Sequence, residues 1–248
     1  MAYDGTAYAG FQIQPNAPTV QGELERVLAV ICGEPVRITG AGRTDAGVHA
    51  TGQVIDLRTA SALGAQDLER GVNALLPEDI AISELEPAED AFHARFSATG
   101  RTYEYRIRNA AVRDPLWTRR EHWHPGELNV PAMRASAALL VGRHDFGAFA
   151  AGEAGERTVK RAEWISEGSV LRFEIESDAF LRGMVRGIVG TLLWTGRGKM
   201  TVERFGEVLA ARDRGLAGPS APAKGLCLVA VRYGDGERRR RDGSENWE

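Results

Sequence analysis

Ala41-Gly42-Arg43-Thr44-Asp45-Ala46-Gly47-Val48-His49 sets one carboxylate, one guanidinium, one hydroxyl and one imidazole among small residues. Gly42 and Gly47 permit backbone angles and close approaches that a Cβ resists. Asp45 is therefore easily presented at a turn with little bulk on either side. Arg43, two positions earlier, is placed to keep that carboxylate ionised. The same residue types also mark plain solvent-facing turns, so the run taken alone leaves both readings open. Outward from it, positions 36–39 read as a short strand entering the run and 53–58 as a strand leaving it. Asp45 thus lies in a loop framed by sheet, a favoured place for chemistry.

Further out, strand-like and helix-like segments alternate, which gives a layered α+β or α/β protein. Thr19 caps a helix whose apolar residues Val20, Leu24, Val27, Leu28 and Ile31 recur at helical spacing, and Gly33 ends it. A second helix spans 67–76, weakened by Gly71 and closed before Pro77. In 102–109, Tyr103, Tyr105 and Ile107 share one face, while Thr102, Glu104, Arg106 and Arg108 share the other. Pro131 opens a helix that stops before Gly142. Segments 159–166 and 170–176 pair across Glu167-Gly168-Ser169. A helix over 178–194 carries Arg182 and Arg186 one turn apart. Its Gly183, Gly187 and Gly190 each cost about 1 kcal/mol of helix propensity, offset by close packing against the sheet. A last helix begins at Thr201, with Met200 and Phe205 as a hydrophobic staple, and 226–233 is the final strand. The units divide near residue 100, as 1–100 and 101–236, and a charged tail at 237–248 is expected to be mobile.

The chain of 248 residues is 43% hydrophobic, enough for one large domain or two modest ones. No stretch approaches 18 uninterrupted apolar residues, which excludes a membrane span, and no membrane partner is expected. The start has neither a basic nor an apolar leader region. Cys32 and Cys227 sit in apolar sequence and read as buried thiols in a reducing, cytoplasmic compartment. The net charge of −3 argues mildly against a nucleic-acid partner. Yet the positive charge is nearly all arginine, clustered at Arg101, Arg106 and Arg108, at Arg113, Arg119 and Arg120, and at Arg182 and Arg186, so a local patch can still hold RNA. His122 and His124 share a strand face near Asp114, but a zinc site needs three or four converging ligands, so no metal is expected. No phosphate-cradling glycine loop with a following Lys-Ser/Thr occurs either.

The run at 41–49 resembles the signature of the tRNA pseudouridine synthase A family, and other segments extend the likeness in family order. These are Tyr3-Asp4-Gly5-Thr6 with Tyr8-Ala9-Gly10-Phe11-Gln12, Gly71-Val72-Asn73-Ala74-Leu75-Leu76-Pro77, and Phe92-His93-Ala94-Arg95-Phe96-Ser97-Ala98 leading to Arg101-Thr102-Tyr103-Glu104-Tyr105. Asp145-Phe146, Phe180-Leu181-Arg182-Gly183-Met184-Val185-Arg186 and Gly225-Leu226-Cys227-Leu228 follow. Together they span nearly the whole chain. The resemblance implies two ferredoxin-like α/β lobes sharing a continuous, mostly antiparallel central sheet, with the active cleft between them, and a homodimer.

It also implies an isomerase that turns uridine into pseudouridine at positions 38, 39 and 40 of the tRNA anticodon stem-loop. Breaking C1′–N1 and rejoining the ring at C5 changes neither composition nor oxidation state, so no cofactor is needed. The family's catalytic aspartate falls on Asp45. Its substrate-contacting tyrosine falls on Tyr103, whose ring can stack on a base lifted from the helix. The arginine that pairs with the catalytic carboxylate falls on Arg186. Arg43 is assigned to RNA phosphate or to base extrusion, and His49 to holding the loop or touching the nucleotide. The chain departs from the family in three places: the family has a full first strand before Tyr-Asp-Gly where only Met1 and Ala2 precede Tyr3 here, Phe11 replaces a customary tryptophan, and Gly183 and Gly187 stand where His and Asn are customary. The rival reading is a catalytically silent RNA-binding protein using the same cleft. An aspartate-dependent nuclease of the two-metal type would want several clustered carboxylates, and this run has one.

Overall fold

The computed structural model describes residues 1–234 and the short strand at 237–239. The chain is an α+β protein whose strands pair almost entirely antiparallel. It divides into two compact units, one formed by Met1–Thr99 with the chain from Leu228 onward, the other by Gly100–Cys227.

The first unit holds β1 (Ala2–Tyr3), α1 (Val20–Cys32), β2 (Ile38–Gly40), β3 (His49–Ala50), β4 (Ile55–Leu57), α2 (Ala65–Leu75) and β5 (Ile80–Ala81). Strand β1 lies between β5 and β3, so the sequence reaching Tyr3 does form a strand, two residues long. Strands β2 and β4 make a separate two-stranded ribbon that pairs Thr39 with Asp56 and Gly40 with Ile55. Helix α1 has the expected ends: the Thr19 hydroxyl accepts from the Gly22 amide, and Gly33 turns left-handed with φ 70°. Val20, Leu24, Val27 and Leu28 are buried as their spacing dictates. Gly71 serves packing, since a Cβ there would sit 3.3 Å from Ile31 of α1.

The second unit holds β6 (Ala98–Asn109) from Gly100 onward, β7 (His122–His124), α3 (Val130–Ala138), β8 (Gly142–Asp145), β9 (Glu156–Glu167), β10 (Val170–Ser177), α4 (Met184–Gly196) and α5 (Val202–Ala211). Its strands run in the order β6-β10-β9-β8, with β7 parallel to β6. Gly168, at φ 58°, supplies the turn between β9 and β10. Tyr103, Tyr105 and Ile107 point into the core, opposite Ile175, Phe173 and Leu171 of β10. The other sheet face is an arginine–glutamate lattice: Arg172 pairs with Glu104, Glu167 and Glu174, and Arg161 with Glu163 and Glu174. Thr201 caps α5, and Met200 and Phe205 are both buried beside that cap.

Four expectations need correction. The last strand, β11 (Leu226–Tyr233), groups from Leu228 onward with the first unit, because the Thr51 and Gly52 amides both donate to Leu228 O. The helix expected from residue 178 begins at Met184. Gly183 takes φ 68°, and Asp178 Oδ1 turns back to the amides of Thr158 and Ala179. Arg182 therefore lies outside α4 and shares no helical face with Arg186. The glycines of α4 also pack differently: a Cβ on Gly187 would meet Phe149 O at 2.2 Å and one on Gly190 would meet Pro219 O at 1.7 Å. They admit backbone of the 147–149 and 217–221 loops, not the sheet. Finally, Cys32 and Cys227 are half-buried. Of the expected tail, Glu237–Arg239 forms β12, paired with β11; residues 240–248 lie outside the described residues. No helix among the described residues is long and apolar enough to cross a membrane.

Candidate active site

Asp45 is half-buried in a loop whose backbone is held on every side. Upstream, buried polar groups of α1 set the entering strand. Gln21 donates to Ile38 O at 3.2 Å and to Glu25, whose carboxylate accepts from the Ile38 amide at 3.1 Å. Ala41 N then donates to Val54 O at 2.8 Å. Gln53 is 1% exposed and holds the next peptide by both ends: its Nε2 donates to Gly42 O at 2.7 Å and its Oε1 accepts from Gly42 N at 3.3 Å. Thr44 is buried, and its hydroxyl shares a 2.8 Å hydrogen bond with Tyr3 Oη.

The segment at 8–11 laces the other side. Phe11 N donates to Thr44 O at 3.1 Å, Gly47 N donates to Tyr8 O at 3.3 Å, and Val48 N closes a turn onto Asp45 O at 3.1 Å. Gly10 stands at φ 108°, and a Cβ there would lie 2.7 Å from Thr44 O, so only glycine permits this approach. Phe11 is buried beneath the loop, so close to Gly40 that a Cβ on that glycine would enter its ring. The aromatic substitution at position 11 is thus filled as a packing role. An Asp45 rotamer on such a frame is positioned by the backbone at little entropic cost at the moment of reaction.

Arg43 is exposed, and its side chain has no hydrogen bond or ion pair among the described residues. The expected Arg43–Asp45 pair is therefore not made, and the guanidinium points to water where an anion can reach it. His49 is buried. Its Nδ1 accepts from the Gly5 amide at 3.1 Å and lies 3.2 Å from Asp4 Oδ1. One nitrogen cannot serve both at once, so the neutral ring that accepts from Gly5 carries its proton on Nε2. In this geometry His49 braces the N-terminal turn against β3.

In the second unit, Tyr103 is buried with an edge-on contact to Phe180, ring centroids 5.0 Å apart. Arg186 leaves α4 half-buried, its Nε donating to Ala221 O at 2.8 Å, while Ala221 N returns a bond to Arg186 O. Tyr105 Oη donates to Pro222 O at 2.9 Å, next along the same loop. Burial pushes its phenol up, opposed in part by the Arg186 charge. Gly225, in the Gly-Leu-Cys-Leu segment, leaves room for that ring, since a Cβ would sit 2.6 Å from Tyr105 Cζ.

The arginine clusters are less available than their sequence implied. Arg106 and Arg108 both pair with the buried Glu121, and Arg101 donates to Asp178 O at 2.8 Å. Exposed cations persist at Arg43, Arg113 and Arg182. The supporting residues missing from the motif reading are Gln53, Gln21 and Glu25. Each is a polar side chain whose partner is distant in sequence.

An α+β protein that fixes one carboxylate on a backbone-clamped loop is the class these observations define. A family model described as tRNA pseudouridine synthase matches residues 1–97 and 136–234. The tRNA pseudouridine synthase A of Chloroflexus aurantiacus is 50% identical over 244 residues, covering 95% of this chain and 88% of the relative. That of Geobacillus kaustophilus is 45% identical, covering 95% and 93%. That of Geobacter sulfurreducens is 43% identical, covering 94% and 97%. The chain belongs to the tRNA pseudouridine synthase family.

Proposed function

We propose that this protein isomerises uridine to pseudouridine at positions 38, 39 and 40 of the tRNA anticodon stem-loop, with Asp45 as the catalytic carboxylate. The observation that carries the reading is the clamped loop: Thr44 before Asp45 and Gly47 after it are held by hydrogen bonds, while Asp45 itself is half-buried. Membership of the family supplies the reaction.

The target nucleotide must first leave its stack, at a cost of a few kcal/mol. Arg43 meets the RNA backbone as this happens, Tyr103 offers its ring to the uracil, and Arg186 contributes positive charge at the substrate. His49 contributes by keeping the loop in register. Asp45 then acts in one of two ways: it adds to an electrophilic carbon in a bond that breaks again as product forms, or it removes the C2′ proton on a route through a glycal and returns it to C2′ when C1′ is rejoined. Either way the C1′–N1 bond breaks, the ring turns within the site, and C5 bonds to C1′. The proton released from C5 is the one gained at N1, so atoms and electrons balance without cofactor or metal. The enzyme acts as a homodimer in the cytoplasm.

The test is to map pseudouridine in unmodified tRNA after incubation with the purified protein, with no metal or nucleotide added. New pseudouridine at 38 to 40 is expected. Its absence from a folded preparation overturns the reading.

A further inference from the structure

The segment Phe92-His93-Ala94-Arg95-Phe96-Ser97-Ala98 has no part in the chemistry above, yet it is built with care. The Asp56 carboxylate accepts from Ala94 N at 2.7 Å, and Tyr233 Oη donates to Ala94 O at 2.7 Å. Phe92 packs on the Tyr233 ring at 5.1 Å. His93 N donates to Ser97 Oγ and Ser97 N to His93 O, closing the turn. The His93 ring faces inward along it, Nδ1 accepting from the amides of Arg95 and Phe96 at 3.1 and 3.3 Å.

This frame displays one apolar side chain to water. Phe96 is 75% exposed, although Ala94 beside it is fully buried. Its ring lies 4.3 Å from the His93 ring, and the Arg95 guanidinium carbon lies 5.4 Å from its centroid. Three flat groups, two of them nitrogen-bearing, are thus gathered at one rigid turn. The turn hangs from Asp56, which pairs with Thr39 across the β2–β4 ribbon, two residues before Ala41 opens the loop of Asp45. A phenyl ring this exposed contributes little to the folded state through burial. It is what an unpaired base needs, a π-face to stack on with a cation beside it for the adjoining phosphate.

We infer that Phe96, flanked by Arg95 and His93, is a stacking platform for an unpaired base of the RNA substrate, distinct from the nucleotide that reacts at Asp45. Phe96 is a positioning residue: it orients the RNA and takes no part in bond changes. The inference rests on the reading of the protein as a tRNA-modifying enzyme.

The test compares wild type with Phe96→Ala, Phe96→Trp and Phe96→Leu on an anticodon stem-loop RNA carrying 2-aminopurine at single loop positions. Wild-type pseudouridine formation tests the underlying function, and the variants test the platform alone. Phe96→Ala is expected to weaken RNA binding roughly 5- to 150-fold, the loss of one base–aromatic stack, with kcat at saturating RNA retained. Phe96→Trp restores affinity and Phe96→Leu does not. The fluorescence of one loop position is quenched by wild type and by the Trp variant only. An active wild type with an Ala variant of unchanged affinity overturns the inference, as does full rescue by leucine or quenching that persists in the Ala variant.

Discussion

Gln53 grips the peptide of Gly42 at both ends, its amide nitrogen 2.7 Å from Gly42 O and its amide oxygen 3.3 Å from Gly42 N. The residue is almost wholly buried, so water cannot replace either bond. Gln53→Leu keeps the volume but strands two backbone groups, at about 1–3 kcal/mol. The melting temperature should fall, and the isomerisation rate should fall further than the stability loss explains, because the loop carrying Asp45 loses one of its clamps. Thermal unfolding and single-turnover kinetics on the same preparations check this.

Asp45→Asn removes the negative charge while keeping the side chain's size and the backbone bond by which Asp45 O accepts from Val48 N. Pseudouridine formation should drop below detection, while tRNA affinity and melting temperature stay near wild type. Normal yield from this variant would take Asp45 out of the reaction.

Gly190→Ala introduces a Cβ 1.7 Å from Pro219 O, a distance that backbone must move to relieve. Overpacking of this kind costs about 1–3 kcal/mol or more, whereas helix propensity alone would favour alanine by about 1 kcal/mol. The urea midpoint should therefore fall. A rise would show that the 217–221 loop yields freely.

His122 gives stability a pH dependence. Burial, with His124 and Lys224 nearby, brings its imidazole down from 6.5 to about 4. Between those values the unfolded chain binds a proton that the folded chain refuses, so stability falls as pH drops from about 6.5 to about 4. Above that window the ring is neutral in both states and contributes no slope. His122→Gln should flatten this part of the profile, measured as urea midpoint against pH. An unchanged slope would contradict the assignment.

How much of this was legible before the structure depends on the range of each interaction. The ends of α1 were readable because Thr19 accepts from an amide three residues on and Gly33 donates to a carbonyl four residues back. The burial of Tyr103, Tyr105 and Ile107 followed from strict alternation. The motif at 41–49 marked the loop correctly, but not the means of holding it. Gln53 works across eleven residues and Tyr3 across forty-one, and neither position has a pattern that announces its partner. The start of α4 was misjudged for a similar reason. Apolar periodicity runs back through Phe180, while the left-handed turn at Gly183 and the bonds of Asp178 belong to a loop. Arginine clustering misled as well, because Glu121, thirteen residues beyond Arg108, neutralises two of its members.

Strand β11 begins in one unit and completes the other, its Leu228 oxygen taking the amides of Thr51 and Gly52. A ribosome making this chain must therefore release almost all of it before the portion translated first can close. Until then the β3 backbone waits with an open edge, and nascent chains stalled short of residue 228 should be the ones that proteases and chaperones seize.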